Sequence, residues 1–240
     1  MTNKAAHLHV LISGGFSGAY EALLPDFMRT TGITVTTGSG ASQGKGPQTI
    51  AAQLERGVAA DVVILSREGL GELIAAKKIA AGTDVDLAQV PLGVAVRKGA
   101  AKPDVTGVEP LKRVLLAAKT ITVPASTSGI WLMDELFPRL GLAGKINVKA
   151  MPRGSDAAAA VAAGDADIAV MPVSEIVYAP GVECAGNLAP EIQFVQIFSA
   201  AIVAGTRAIE EAKKLTAFVA SPRAAQAIAK SGMEPLAAPR

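Results

Sequence analysis

One cysteine, Cys184, is present, so no disulfide can close within the chain and no thiolate cluster can hold a metal. The two histidines, His7 and His9, both fall within the first nine residues. A serine nucleophile served by a histidine downstream of it is therefore excluded. His7 and His9 are spaced to share a strand face, but no further metal ligand lies near them. They read as structural or surface residues, and neither a metal nor another cofactor is expected. Aromatics are scarce too: one Trp and two Tyr cannot build a stacking platform for bases or sugar rings. Charge of one sign is missing as well. The net charge of +2 is spread among interspersed acids and bases, without a basic stripe, so no nucleic-acid partner is expected. No apolar run approaches the roughly 20 residues of a membrane span, so no membrane insertion is expected. Residues 1–9 carry one lysine and no apolar core of signal-peptide length. As written the chain reads as cytoplasmic, and as periplasmic if a signal has been removed.

What is present is an apolar half of 240 residues, enough for one large domain or two small ones. A short apolar run at 9–12 is followed by a glycine turn at 13–18 and a helical pattern with Ala22, Leu23, Phe27 and Met28 on one face. A strand at 33–37 follows, then an irregular Gly/Ser-rich stretch at 38–47, with Pro47 in the first turn of a helix continued by Ile50, Leu54 and Val58. Residues 61–65 form a buried strand, and Ser66 is placed to cap a helix over 68–78. The pattern restarts after the extended stretch 90–97. Strands are predicted at 121–123, 146–151 and 167–171, helices at 130–140 and 157–163, and turns at 124–129 and 172–175. An apolar strand over 192–203 and two helices joined at Ser221-Pro222 complete the chain.

Strand–helix alternation argues for mainly parallel sheets with flanking helices, in an α/β fold. Two such series joined by two long extended stretches predict two lobes with a hinge between them. Residues 1–90 and 194–240 form the first lobe, and 91–193 the second. In such sheets a ligand binds outside the carboxyl ends of the strands.

The turns that follow the predicted strands carry the candidate site. Ser13, Gly14, Gly15 and Ser17 offer amides and hydroxyls at a helix start, where an anion is favoured. Residues 39–46 have the look of a phosphate-binding loop but fail its pattern. Ser39 stands in place of the first glycine and Gly46 in place of the metal-binding hydroxyl. A flexible loop whose Ser42 and Lys45 reach a small anion fits better. Ser66 ends the third strand. Ala125, Ser126, Thr127 and Ser128 supply a run of amides and three hydroxyls after a buried strand, more than a helix cap requires. Arg153, Ser174 and Glu175, also after strands, add a cation, a hydroxyl and a carboxylate.

Three segments carry a family resemblance: QLERGVAADVVILS at 53–66, VAAGDADIA at 161–169 and AFVASPRAAQAI at 217–228. They resemble the type II periplasmic substrate-binding proteins of the molybdate-binding branch, receptors of ABC transporters. The likeness covers nearly the whole chain. It implies the two-lobed fold and an oxyanion held by hydroxyls and amides. By position, Gly15 falls where those receptors carry a binding serine, Ser17 where they carry a nearby threonine, and Ala125 where an amide contacts the oxyanion. Pro172 falls where a binding tyrosine is expected, and it offers neither a hydroxyl nor an N–H. With two donors lost and a longer 39–47 loop, the resemblance implies a larger anion than molybdate. The turn at 172–175 is similar to that of an aconitate isomerase-like branch.

Two functions are therefore expected. The first is binding of a small oxyanion or di- or tricarboxylate in an interlobe cleft by a monomer, with an ABC transporter permease as partner if the chain is exported. The second is a cofactor-free isomerase of a small unsaturated tricarboxylate, with Glu175 or Lys45 as the catalytic base and Arg153 and the amides stabilising the developing charge.

Overall fold

A computed structural model describes residues 6–236. The stretch read for a targeting signal therefore lies mostly outside the described residues. In chain order the first elements are β1 (His7–Ile12), α1 (Gly14–Thr31), β2 (Thr34–Ser39), α2 (Ile50–Glu55), β3 (Val62–Ser66), α3 (Arg67–Ala75) and β4 (Val85–Val90). Then come β5 (Leu92–Arg97), α4 (Val108–Ala117), β6 (Ile121–Pro124) and α5 (Thr127–Trp131), which a π turn at Leu132–Leu136 continues into α6 (Phe137–Arg139). Next are β7 (Val148–Met151), α7 (Gly154–Ala163), β8 (Ile168–Pro172), α8 (Val173–Val177) and β9 (Val182–Asn187). The last are β10 (Gln196–Ile202), α9 (Ile209–Val219), α10 (Ala225–Lys230) and β11 (Glu234–Pro235). The chain divides into two units: residues up to Gln89 with those from Ile197 onward, and Val90–Gln196.

The first unit holds a sheet in the order β11-β4-β10-β3-β1-β2, with β1 parallel to both β2 and β3 and β10 antiparallel to β3. The second holds β7-β6-β8-β5-β9, with β6 parallel to β7 and β8, and β5 antiparallel to β8 and β9. Both sheets are mixed. The strand–helix repeats build the parallel part of each, while β5 and β10, which begin within two residues of the points where the chain passes from one unit to the other, run against it. In each unit the first strand of the repeat sits between the next two, so the chain leaves it in opposite directions. That is the topological switch point at which doubly wound sheets bind ligands.

Alternation along the strands decides what packs on each face of the second sheet. Val94, Val96, Ile168 and Val170 join a core with Leu111, Leu115, Leu132 and Leu136. Their neighbours Ala95, Ala169 and Met171 face the other way, against Ala157, Ala158 and Val161 of α7. Small side chains on both partners let α7 lie close to the sheet, and the Thr122 hydroxyl donates to the Ala157 carbonyl at 3.0 Å. The alanine run is thus a packing device as well as a good helix former.

Several sequence expectations shift. α2 begins at Ile50 with Thr49 as its cap, the Thr49 hydroxyl accepting from the Ala52 amide, so Pro47 precedes the helix and Val58 lies beyond its end. On α1 the buried face is Phe16, Ala19, Tyr20, Leu23 and Phe27, while Ala22 is exposed. The helix expected at 130 starts at Thr127, and the turn expected at 172–175 is the start of α8. The strands β4, β9 and β11 and the helix α4 were not among the elements expected from the sequence.

Candidate functional site

In the first unit, β1, β2 and β3 end at one edge of the sheet. The Ser13 amide continues the ladder, donating to the Ile64 carbonyl at 2.8 Å, and its side chain is 4 % exposed. The Ser13 hydroxyl has no hydrogen-bond partner among the described residues. Gly14 is exposed, and its carbonyl accepts from the half-buried Ser17 hydroxyl at 2.8 Å. Gly15 is buried, and a Cβ there would overlap the ring of Phe198. The space that the resemblance gives to a binding serine is thus filled by an aromatic side chain from β10, an occupant that no local motif announced.

The loop after β2 is anchored. The Gln53 side chain donates to the carbonyls of Ser39 and Gln48 at 3.0 and 3.1 Å. Buried Ser42 accepts from the Ser66 amide at 2.9 Å, and its carbonyl lies where a Cβ at Gly69 would sit. The Ser66 hydroxyl, fully buried, caps α3 by accepting from the Gly69 amide at 3.2 Å. Ser42 and Ser66, both expected to bind ligand, therefore join the loop to the start of α3. Lys45 is exposed on this loop. Arg67, which sequence reasoning passed over, follows Ser66 and pairs with Asp84 at 2.7 Å and Asp86 at 3.5 Å.

In the second unit, the ends of β6, β7 and β8 come together. The Ala125 amide donates to the Met151 carbonyl at 2.6 Å, extending the β6–β7 ladder. That donor is already engaged, so the ligand contact assigned to it by resemblance is corrected. Beyond it, Ser126 is half-buried at the cap position of α5, and Thr127 and Ser128 are buried in its first turn. A Cβ at Gly129 would overlap the Pro124 carbonyl, so the helix start is pressed onto the end of β6. Arg153, exposed, precedes α7 and pairs with Asp156 at 3.4 Å.

After β8, Ser174 is 4 % exposed and its hydroxyl, like that of Ser13, has no partner among the described residues. Beside it in α8 is Glu175. Its carboxyl group lies directly over Gly154, where a Cβ would overlap both oxygens and the carboxyl carbon. Burial, unopposed by a positive neighbour among the described residues, pushes Glu175 up to about 7. A group titrating there can both accept and donate a proton near neutral pH. The histidines lie apart from these edges, at the start of β1. His7 Nδ1 and Nε2 are bonded to the hydroxyls of Thr34 at 2.7 Å and Thr36 at 3.0 Å, which suits a structural role.

Residues 8–234 match the family described as bacterial extracellular solute-binding protein. The chain belongs to this family. Across 232 residues, 96 % of the chain and 88 % of the relative, this solute-binding protein is 34 % identical to an aconitate isomerase from a Pseudomonas species. Its fold is that of the Mycobacterium tuberculosis H37Rv sulfate-binding protein SubI, with a TM-score of 0.75, 20 % identity and coverage of 96 % and 87 % of the two chains. It is equally that of the Azotobacter vinelandii periplasmic molybdate-binding protein, with a TM-score of 0.71, 18 % identity and coverage of 94 % and 98 %. The α/β fold and type II architecture anticipated for this solute-binding protein are those of its structural relatives. No helix among its described residues is long and apolar enough to cross a membrane.

Proposed function

We propose that the protein binds a small anion of the di- or tricarboxylate class, with donors at the carboxyl end of β8 in the second unit. One observation carries the reading: the buried hydroxyl of Ser174, at the end of β8 next to the switch strand β6, has no partner among the described residues, and Ser13 repeats that arrangement at the end of β1 in the first unit. Leaving a buried hydroxyl unbonded costs about 1–3 kcal/mol, a cost that a ligand oxygen accepting from it removes. The Arg153 guanidinium, next to the Gly154 on which the Glu175 carboxyl lies, adds a donor at the same end of the sheet. Sulfate and molybdate name two of the structural relatives, and aconitate a third relative by sequence. Gly15 and Pro172 each lack a donor that the resemblance assigns to molybdate, and the Ala125 amide is engaged by the Met151 carbonyl, which favours the carboxylate. As a receptor the protein would work outside the cytoplasmic membrane, the setting that the family's description names, and would hand its ligand to an importer permease. Calorimetric titration with cis-aconitate, trans-aconitate, citrate, sulfate and molybdate tests the reading. Saturable binding of a carboxylate is expected, and binding of sulfate or molybdate alone would refute it.

Glu175 favours a second reading, isomerisation of an unsaturated tricarboxylate. As a carboxylate it takes a proton from the methylene carbon, and that electron pair forms the new double bond. The old double bond's electrons take a proton back at the former vinyl carbon. Atoms and charge balance with no cofactor. Proton NMR of cis-aconitate incubated with the protein reads this directly. Appearance of the trans isomer, abolished in Glu175→Gln, supports it, and its absence leaves binding as the activity.

A further inference from the structure

Gly154 opens α7 at a position where no positive φ demands glycine, and where alanine would favour the helix by up to about 1 kcal/mol. Its reason for being glycine is space, because the Glu175 carboxyl lies where its Cβ would be. We infer that Gly154 is a positioning residue: by carrying no side chain it seats the Glu175 carboxyl on the first turn of α7, unpaired, as the group that exchanges a proton with the ligand bound beside Ser174. The inference rests on the anion-binding reading for its last clause only.

The surroundings of Glu175 support this placement. α8 packs against β5, β8, β9 and α7. From β5, Arg97 points to the other end of α7, its Nε donating to the Val161 carbonyl at 3.4 Å. On β9, Glu183 accepts from the Gly99 amide at 2.8 Å and pairs with Lys102 at 3.0 Å, and Cys184 is a thiol raised by burial. β8 carries no titratable side chain. On α7, Asp156 pairs with Arg153 at 3.4 Å. Among the described residues no cation is therefore bonded to Glu175, and the seat itself sets its affinity for the proton. An anion arriving at the same edge disfavours the charged form further, so binding above pH 7 is expected to take up a proton.

The test is the titration of Glu175, followed by carbon-13 NMR of the ligand-free protein, in wild type and Gly154→Ala. The added methyl group displaces the carboxyl toward water, and the midpoint is expected to fall by about one pH unit or more. An unchanged midpoint in a folded variant overturns the inference. Should Gly154→Ala fold poorly, the double variant Gly154→Ala/Glu175→Ala decides. With the carboxyl gone, alanine at 154 is expected to be neutral or stabilising, and an equal loss of stability in both backgrounds overturns the inference. Calorimetry of cis-aconitate in buffers of different ionisation heat then reads proton uptake at pH 8. Uptake in wild type, reduced in Gly154→Ala, is expected, and binding without uptake overturns the proton-exchange clause. Failure of every anion to bind would count against the anion reading alone and leave the titration result standing.

Discussion

At the scale of the residue, the site rests on groups whose local energetics are unfavourable without a ligand. Replacing Ser13 or Ser174 by alanine removes an unbonded buried hydroxyl, so the ligand-free variants are expected to match or exceed wild type in urea midpoint. Ser174→Ala is in addition expected to bind the anion about 10- to 100-fold more weakly, since a hydrogen bond to a charged group contributes about 1.5–3 kcal/mol. Opposite signs in the two measurements separate a binding role from a packing role. Glu175 gives a pH dependence with a definite sign. Its folded-state value is raised to about 7 from 4.5, so its favourable contribution is complete below pH 4.5 and is lost as pH rises through 7. The difference corresponds to at most roughly 3–4 kcal/mol. Glu175→Gln is therefore expected to be more stable than wild type at pH 8, with the gap closing by pH 5, as read from urea unfolding at both values. A gap that widens toward low pH would show that the carboxylate is stabilised in the fold.

At the scale of the element, the strand–turn–helix units place these residues, and the turns were the legible part of the sequence. Ser13, Ser174 and Glu175 could be named because each follows an apolar run that only a strand end explains. The run at 124–129 was equally legible, but not which of its donors stay free: Ala125 looks like a ligand donor until its amide is seen to continue the β6–β7 ladder. Phe198 over Gly15 and Glu175 over Gly154 could not be read at all, because each contact joins positions far apart in sequence and leaves no periodic trace. The close approach of α5 to β6 gives a test at this scale. Gly129→Ala sets a Cβ against the Pro124 carbonyl, a backbone atom that cannot rotate away. A loss of about 1–3 kcal/mol is expected in urea unfolding, the range of an overpacked core. Unaltered stability would mean that the turn opens freely.

At the scale of the whole molecule, the alternation of strands and helices gave the α/β class, and its restart after residue 90 pointed to a second series. What the sequence did not give was the mixed character of the sheets, because strand direction depends on where the chain enters each sheet rather than on side-chain pattern. Anion binding to the native state alone also has a global readout. At about one hundred times its Kd, a ligand adds about 2.7 kcal/mol to stability. For a chain of this size that raises Tm by roughly 5–10 °C. The most direct test compares wild type with Ser174→Ala in calorimetric titration with cis-aconitate at pH 7. Saturable binding by wild type, weakened at least about 10-fold in the variant, is the expected result. Equal affinity in the two proteins, or no binding by wild type, would contradict the central claim that the unpartnered Ser174 hydroxyl is there for an anionic ligand.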